Sequence, residues 1–189
     1  SFANMMEYVA IDALEPNWRI WEDFATGEVT AALRRDSLDG VQSVKTDVNH
    51  PDEISSLFDG AIVYAKGGRL LRMARQLVGD EAFRVGLKSY FEKFAYQNTI
   101  GNDLWQELEN ASGQPILKLM NRWIEQPGLP LVSVDQTGDV VKISQQRFFV
   151  GEHAEDNSLW SIPLFAISRQ LTMSCRKNPK PMPTQPASS

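Results

Sequence analysis

A chain of 189 residues with 42% hydrophobic and 23% charged side chains has the composition of a soluble globular protein with room for one or two cores. Its apolar runs are short and interrupted by charges, which excludes a membrane-spanning helix of about 18 residues, and a net charge of -5 excludes the basic excess that nucleic-acid binding requires. The charge is uneven: residues 1–60 carry 12 acidic and 4 basic side chains and residues 61–100 carry 3 and 7, so the two stretches are suited to pack on each other.

In chain order, residues 2 to 14 read as an apolar helix that Pro16-Asn17 interrupts, and a second helix is expected from Trp18 to Arg35. Val41 to Val48 reads as a short strand or an extended connection, and Pro51-Asp52-Glu53-Ile54 as the start of a short helix with acids at its positive end. From Gly60 to Val78, Ile62, Leu70, Met73 and Leu77 recur at helical spacing while Lys66, Arg69, Arg72 and Arg75 project elsewhere. Tyr64 falls between Gly60 and Gly68, each four residues away. A helical glycine costs roughly 1 kcal/mol relative to alanine, so this pair suggests close approach of a backbone or a ligand. Spacing leaves Tyr64 open between a packed core tyrosine and a group that meets a ligand. Lys66-Gly67-Gly68 lacks the Ser/Thr and the preceding glycine loop of a phosphate site.

Asp80-Glu81 opens a helix to Tyr96 whose aromatic side, Phe83, Leu87, Tyr90, Phe91 and Phe94, is expected in the core. Further helices are expected over 103–113, closed by Gly113, and over 115–125, stopped by Pro127-Gly128-Leu129-Pro130. Beyond them the pattern alternates: 131–134 and 140–147 read as a hairpin, and 159–166 as another strand. The expected organisation is a helical unit over 1–128, a β unit over 129–168 and a disordered Pro-rich tail over 169–189. His50, His153 and Cys175 are too scattered for a metal site, and no GxSxG elbow is present. The lone Cys175 fits a reducing compartment and an assignment to the cytoplasm.

Ser1-Phe2-Ala3, Met6-Glu7-Tyr8, Pro51-Asp52-Glu53-Ile54 with Phe58-Asp59, Ile62-Val63-Tyr64-Ala65-Lys66-Gly67, Leu104-Trp105 and Trp123-Ile124-Glu125-Gln126-Pro127-Gly128-Leu129-Pro130 follow one another at characteristic intervals. In these blocks the chain resembles the zinc aminopeptidase N family of gluzincin metallopeptidases over residues 1–166. The resemblance implies an α+β fold: the mainly α-helical C-terminal part of a thermolysin-like catalytic domain, followed by a partial β-sandwich. In that family a glutamate, the third zinc ligand, immediately precedes the Ser/Gly-Phe-Ala run, so the chain is expected to open just past it. The HExxH helix, its general-base glutamate and the motif gripping the substrate's amino group would then lie in an N-terminal catalytic half outside this sequence.

The resemblance further implies that Tyr64 is catalytic, donating a hydrogen bond to the oxyanion formed at the scissile carbonyl. It places Phe58 and Asp59 at the pocket for the substrate's first side chain, and makes the substrates peptides with a free N-terminus. Zinc belongs to the full-length protein; this chain alone is expected to bind none and to be inactive. The competing reading is a non-catalytic helical and β module that binds a protein partner through an apolar face.

Overall fold

The computed structural model of the chain describes residues 1–138 and 140–164, with the backbone of Thr172–Lys177. Helix α1 (Phe2–Leu14) buries Met5 against α5 (Gly67–Val78), which contributes Leu70, Leu71 and Ala74 to the core. Helices α6 (Asp80–Lys93), α7 (Gly101–Ser112) and α8 (Ile116–Ile124) close that core with Phe83, Trp105, Leu108, Ile116, Met120 and Ile124. Together they form one contiguous apolar cluster, the dominant favourable term for a domain of this size. Gly113 ends α7 at φ 69, the left-handed conformation that a helix C-terminus favours.

The segment expected to be one helix from Trp18 to Arg35 is subdivided. Pro16–Trp18 forms a 3-10 turn, Arg19 stands at φ 52, and α2 (Ile20–Phe24) runs through a π turn, Ala25–Val29, into α3 (Thr30–Asp36). Val41 to Val48 is a connection without a ladder, anchored where the Lys45 N–H donates to the Ile124 carbonyl at 2.8 Å. After it come a 3-10 turn, Pro51–Glu53, and the short α4 (Ile54–Leu57). Of the aromatic side expected in the core, Phe83 is buried and Leu87 packs at the core's edge, whereas Tyr90 and Phe94 are only half-buried and stand outside the cluster; Phe91, at the margin of that stripe, is 57% exposed and edge-on to Phe2.

Strands β1 (Pro130–Thr137) and β2 (Val140–Arg147) pair antiparallel with Pro130 opposite Arg147 and Thr137 opposite Val140. The chain is thus α+β and mainly helical. The expected strand over 159–166 is not one across its described part, residues 159–164. Pro163 offers no ladder donor, and the segment is held by side chains instead: Gln145 accepts from the Trp160 N–H and donates to the Trp160 carbonyl, both at 2.9 Å. Trp123 donates to the Ser161 carbonyl at 2.8 Å and Gln126 to the Leu159 carbonyl at 3.1 Å. From the tail expected to be disordered, Thr172–Lys177 forms β3, parallel to β2; the rest of that tail lies outside the described residues.

At Gly86 the backbone of α6 lies close against α7, since an added Cβ would stand 2.9 Å from Leu108 Cδ2 and 3.1 Å from both the Glu107 carbonyl oxygen and the Leu108 Cα. Backbone atoms yield less than side-chain ends, so overpacking should cost about 2–3 kcal/mol, against roughly 1 kcal/mol of helix propensity gained. Gly86→Ala should therefore lower stability in urea unfolding by about 1–2 kcal/mol. A raised midpoint would show that the two helices part freely.

Candidate active site

The segment leading into α5 does not begin as an α-helix. Asp59 starts it: one carboxylate oxygen accepts the Ala61 N–H at 3.0 Å, the other pairs with the Arg35 guanidinium, and the Asp59 carbonyl accepts from Ile62 and Val63. The Arg35 hydrogen bond is the main reason the Asp59 carboxyl lies below the ordinary carboxylate range; partial burial opposes it without prevailing. Residues Ala61–Lys66 then form a π turn before the α-helical phase resumes at Gly67. Across that junction Ile62, Lys66 and Leu70, four residues apart, stay on one buried face.

Two side chains of this segment define the site. Tyr64 is exposed by 43%, its ring edge-on to Phe58 at 5.4 Å, and its hydroxyl has no hydrogen-bond partner among the described residues. It is therefore not the carbonyl-satisfied core tyrosine that spacing allowed. Gly60 lies under the ring, with its virtual Cβ 4.0 Å from Tyr64 Cδ2, whereas Gly68 faces Asn4 and Phe24 and serves the approach of α1. Lys66, read from the sequence as projecting away from the core, is buried.

The Lys66 ammonium sits 2.7 Å from the Asp36 carboxylate and donates to the Gly128 carbonyl at 2.9 Å, while the other Asp36 oxygen accepts the Gly128 N–H at 2.8 Å. Both side chains are almost wholly enclosed, 7% and 4% exposed. Burial depresses the Lys66 ammonium below the usual lysine range, outweighing the opposite pull of Asp36, and the nearby Arg147 adds to the depression. Arg147 in turn lies on Gly128, pairs with Asp156 at 2.9 Å and stands 4.4 Å from the centre of the Phe149 ring. Gly128 has φ +87, and any Cβ there would overlap the Arg147 guanidinium.

A cleft of about 530 Å³ opens beside Tyr64, walled by Gly60, Ala61 and Tyr64 on one side and by Asn4, Glu7 and Glu28 on the other. Tyr8 donates to Glu28 at 2.9 Å; burial first, and then that hydrogen bond, push the Tyr8 phenol up to about 12, so it remains a donor. Asn4 donates to the same Glu28 oxygen at 3.1 Å, leaving the second, buried oxygen of Glu28 without a partner. Phe58 touches Tyr64 but faces a separate hollow with Val48, Ile54 and Val63, and the Asp59 carboxylate is engaged by Arg35 and the helix start.

His50 caps the Pro51 turn by accepting the Asp52 N–H, and His153 stacks on Phe149 with ring centres 4.0 Å apart. Among the described residues no three His, Cys, Asp or Glu side chains converge as a metal site. Asp36, Lys66, Gly128 and Glu28 went unread as site-forming residues in the sequence. The signal for two of them was present, since Lys66 and Gly128 belong to the Tyr64 and Gln126-Pro127 blocks.

Residues 1–123 match the model of the peptidase family M1 domain. The chain is 56% identical over 165 residues to aminopeptidase N of Lactococcus lactis subsp. lactis and 54% identical over 166 residues to aminopeptidase N of Lactobacillus delbrueckii subsp. lactis. It is 38% identical over 170 residues to the tricorn protease-interacting factor F2 of Thermoplasma volcanium. These matches cover 87%, 88% and 90% of this chain but only 19%, 20% and 22% of the relatives, so the chain spans about a fifth of their length.

Because the folded state holds the Asp59 carboxyl low, its contribution to stability is complete above the unfolded value of about 3.9 and is lost as pH falls through the lower folded value. A carboxyl-carbon NMR titration should place its midpoint below about 3.9, and Arg35→Leu should raise that midpoint. A midpoint that ignores Arg35→Leu would remove the ion pair from the start of the Tyr64 segment.

Proposed function

Since this chain belongs to peptidase family M1, we propose that it forms part of a zinc aminopeptidase that removes N-terminal residues from peptides, with Tyr64 donating a hydrogen bond to the oxyanion at the attacked carbonyl. One observation carries the assignment: a half-exposed phenol with an unengaged hydroxyl stands at a cleft, on a segment tied down at both ends. A donor held in advance toward developing charge need not reorganise during reaction, and such groups are worth about 3–4 kcal/mol. The Glu7 and Glu28 carboxylates on the opposite wall make the cleft congenial to a cationic group such as a peptide's amino terminus. Phe58, through its edge contact with Tyr64, would shape the approach of the substrate's first side chain. Asp59 would act on that pocket through the start of the turn.

The described residues supply no zinc donor set, so on this reading the metal is bound by residues beyond this segment, and the segment alone is inert. What it contributes is the phenol and its setting. The family's peptidase chemistry and the lone Cys175 also fit the cytoplasmic location inferred from the sequence.

In the full-length polypeptide, Tyr64→Phe should lower kcat by about two orders of magnitude or more. KM for an aminoacyl-nitroanilide should change little, and the zinc content should stay constant. Turnover equal to that of the parent enzyme would take Tyr64 out of the reaction.

A further inference from the structure

We propose that Lys66 is a positioning residue for Tyr64, holding the Ala61–Lys66 turn against α3 and the Gly128 loop so that the phenol stays over the cleft; the inference rests on the role given to Tyr64 above. Three observations carry it. The Tyr64 hydroxyl has no partner among the described residues and its ring meets Phe58 only edge-on, so its direction is inherited from the backbone beneath it. That backbone is a six-residue π turn fastened at each end to consecutive residues of α3: Asp59 to Arg35 at the start, Lys66 to Asp36 at the end. Between these points the Val63 carbonyl accepts the Ser1 hydroxyl, which links the same turn to α1.

The energetics point the same way. A buried ion pair is weak evidence of stabilisation, because desolvation can cancel the attraction, and here burial prevails over Asp36 at the Lys66 ammonium. What the node supplies is geometry. A lysine with two acceptors, Asp36 and Gly128, and an aspartate with two donors, Lys66 and Gly128, fix three separate stretches of chain to within hydrogen-bond length. The ends of the clamp differ in character. Arg35 is 44% exposed along its side chain and can be reformed from solvent, whereas Lys66 is enclosed. The buried end therefore sets the register of the turn, and the exposed end sets only where it begins.

Single substitution at Lys66 would strand the Asp36 charge, so the test uses two pairwise variants of the full-length polypeptide. Asp36→Asn with Lys66→Gln keeps polarity but shortens the reach; Asp36→Leu with Lys66→Met is an apolar replacement of the kind that buried pairs often tolerate. Tyr64 is followed by fluorine NMR after 3-fluorotyrosine incorporation, with the resonance assigned by Tyr64→Phe, and residues 59–67 by hydrogen exchange. In each folded variant we expect exchange over 61–66 to rise about tenfold or more while α6 and α7 are unchanged. The Tyr64 resonance should move, and kcat should fall about tenfold or more with KM within about twofold.

A lowered melting temperature with unchanged exchange, resonance and kcat would make the node merely structural and overturn the proposal. If exchange and resonance change while Tyr64→Phe is silent in turnover, the clamp stands and the catalytic reading of Tyr64 falls. The two inferences are thereby separable.

Discussion

The buried contact of Lys66 with Asp36, closed by the backbone of Gly128, is the constraint on which the rest of the site depends. It brings together the end of α3, the turn that carries Tyr64, and the loop that leaves α8 for the strands. None of the three could shift alone without leaving a buried charge or a buried peptide group unpaired, each a costly outcome. Arg147, from the end of β2, lies on Gly128 and pairs with Asp156, so a residue of the sheet also rests on the node. The requirement for glycine at 128 follows from both its φ of +87 and the guanidinium against it.

Around that node the apolar core acts as a support. Leu70, Leu71 and Ala74 fix α5 as a continuation of the Tyr64 turn, and the glycines at 67 and 68 let α1 approach with Ser1 and Asn4, and α2 with Phe24, until they lie within contact of the backbone. The same approach brings Asn4 and Glu7 to the wall opposite Tyr64. The cleft is thus a by-product of helix packing with small residues on one side and carboxylates on the other. Its chemistry comes from which side chains the π turns at Ala25–Val29 and Ala61–Lys66 direct into it.

Much of the fold was legible in the sequence because it rests on local signals. The helix opened by Asp80-Glu81, the glycine ending α7 and the strands after Pro130 all have local physical causes, and each is found in the structure. Features that depend on long-range polar partners were not legible. Lys66 stands four residues from both Ile62 and Leu70 and is buried with them, a place that the sequence reading missed because a lysine is ordinarily solvated. The segment 159–164 alternates like a strand, yet Pro163 and the side-chain amide of Gln145 give its backbone other partners. Tyr64 was named from the order of the motifs around it; its exposure and its free hydroxyl required the structure. Nothing in the sequence singled out Asp36, since a charge at the end of a helix is ordinarily solvated.

The central claim is that Lys66 acts on turnover through Tyr64 and by no other route. A double-mutant cycle in the full-length polypeptide addresses it directly, combining Tyr64→Phe with the paired replacement of Asp36 and Lys66 and measuring kcat for all four enzymes. The account predicts strong non-additivity: once the phenol is gone, loss of the node should reduce kcat by no more than about twofold. If the two losses multiply in full, Lys66 contributes independently of Tyr64 and the account is contradicted.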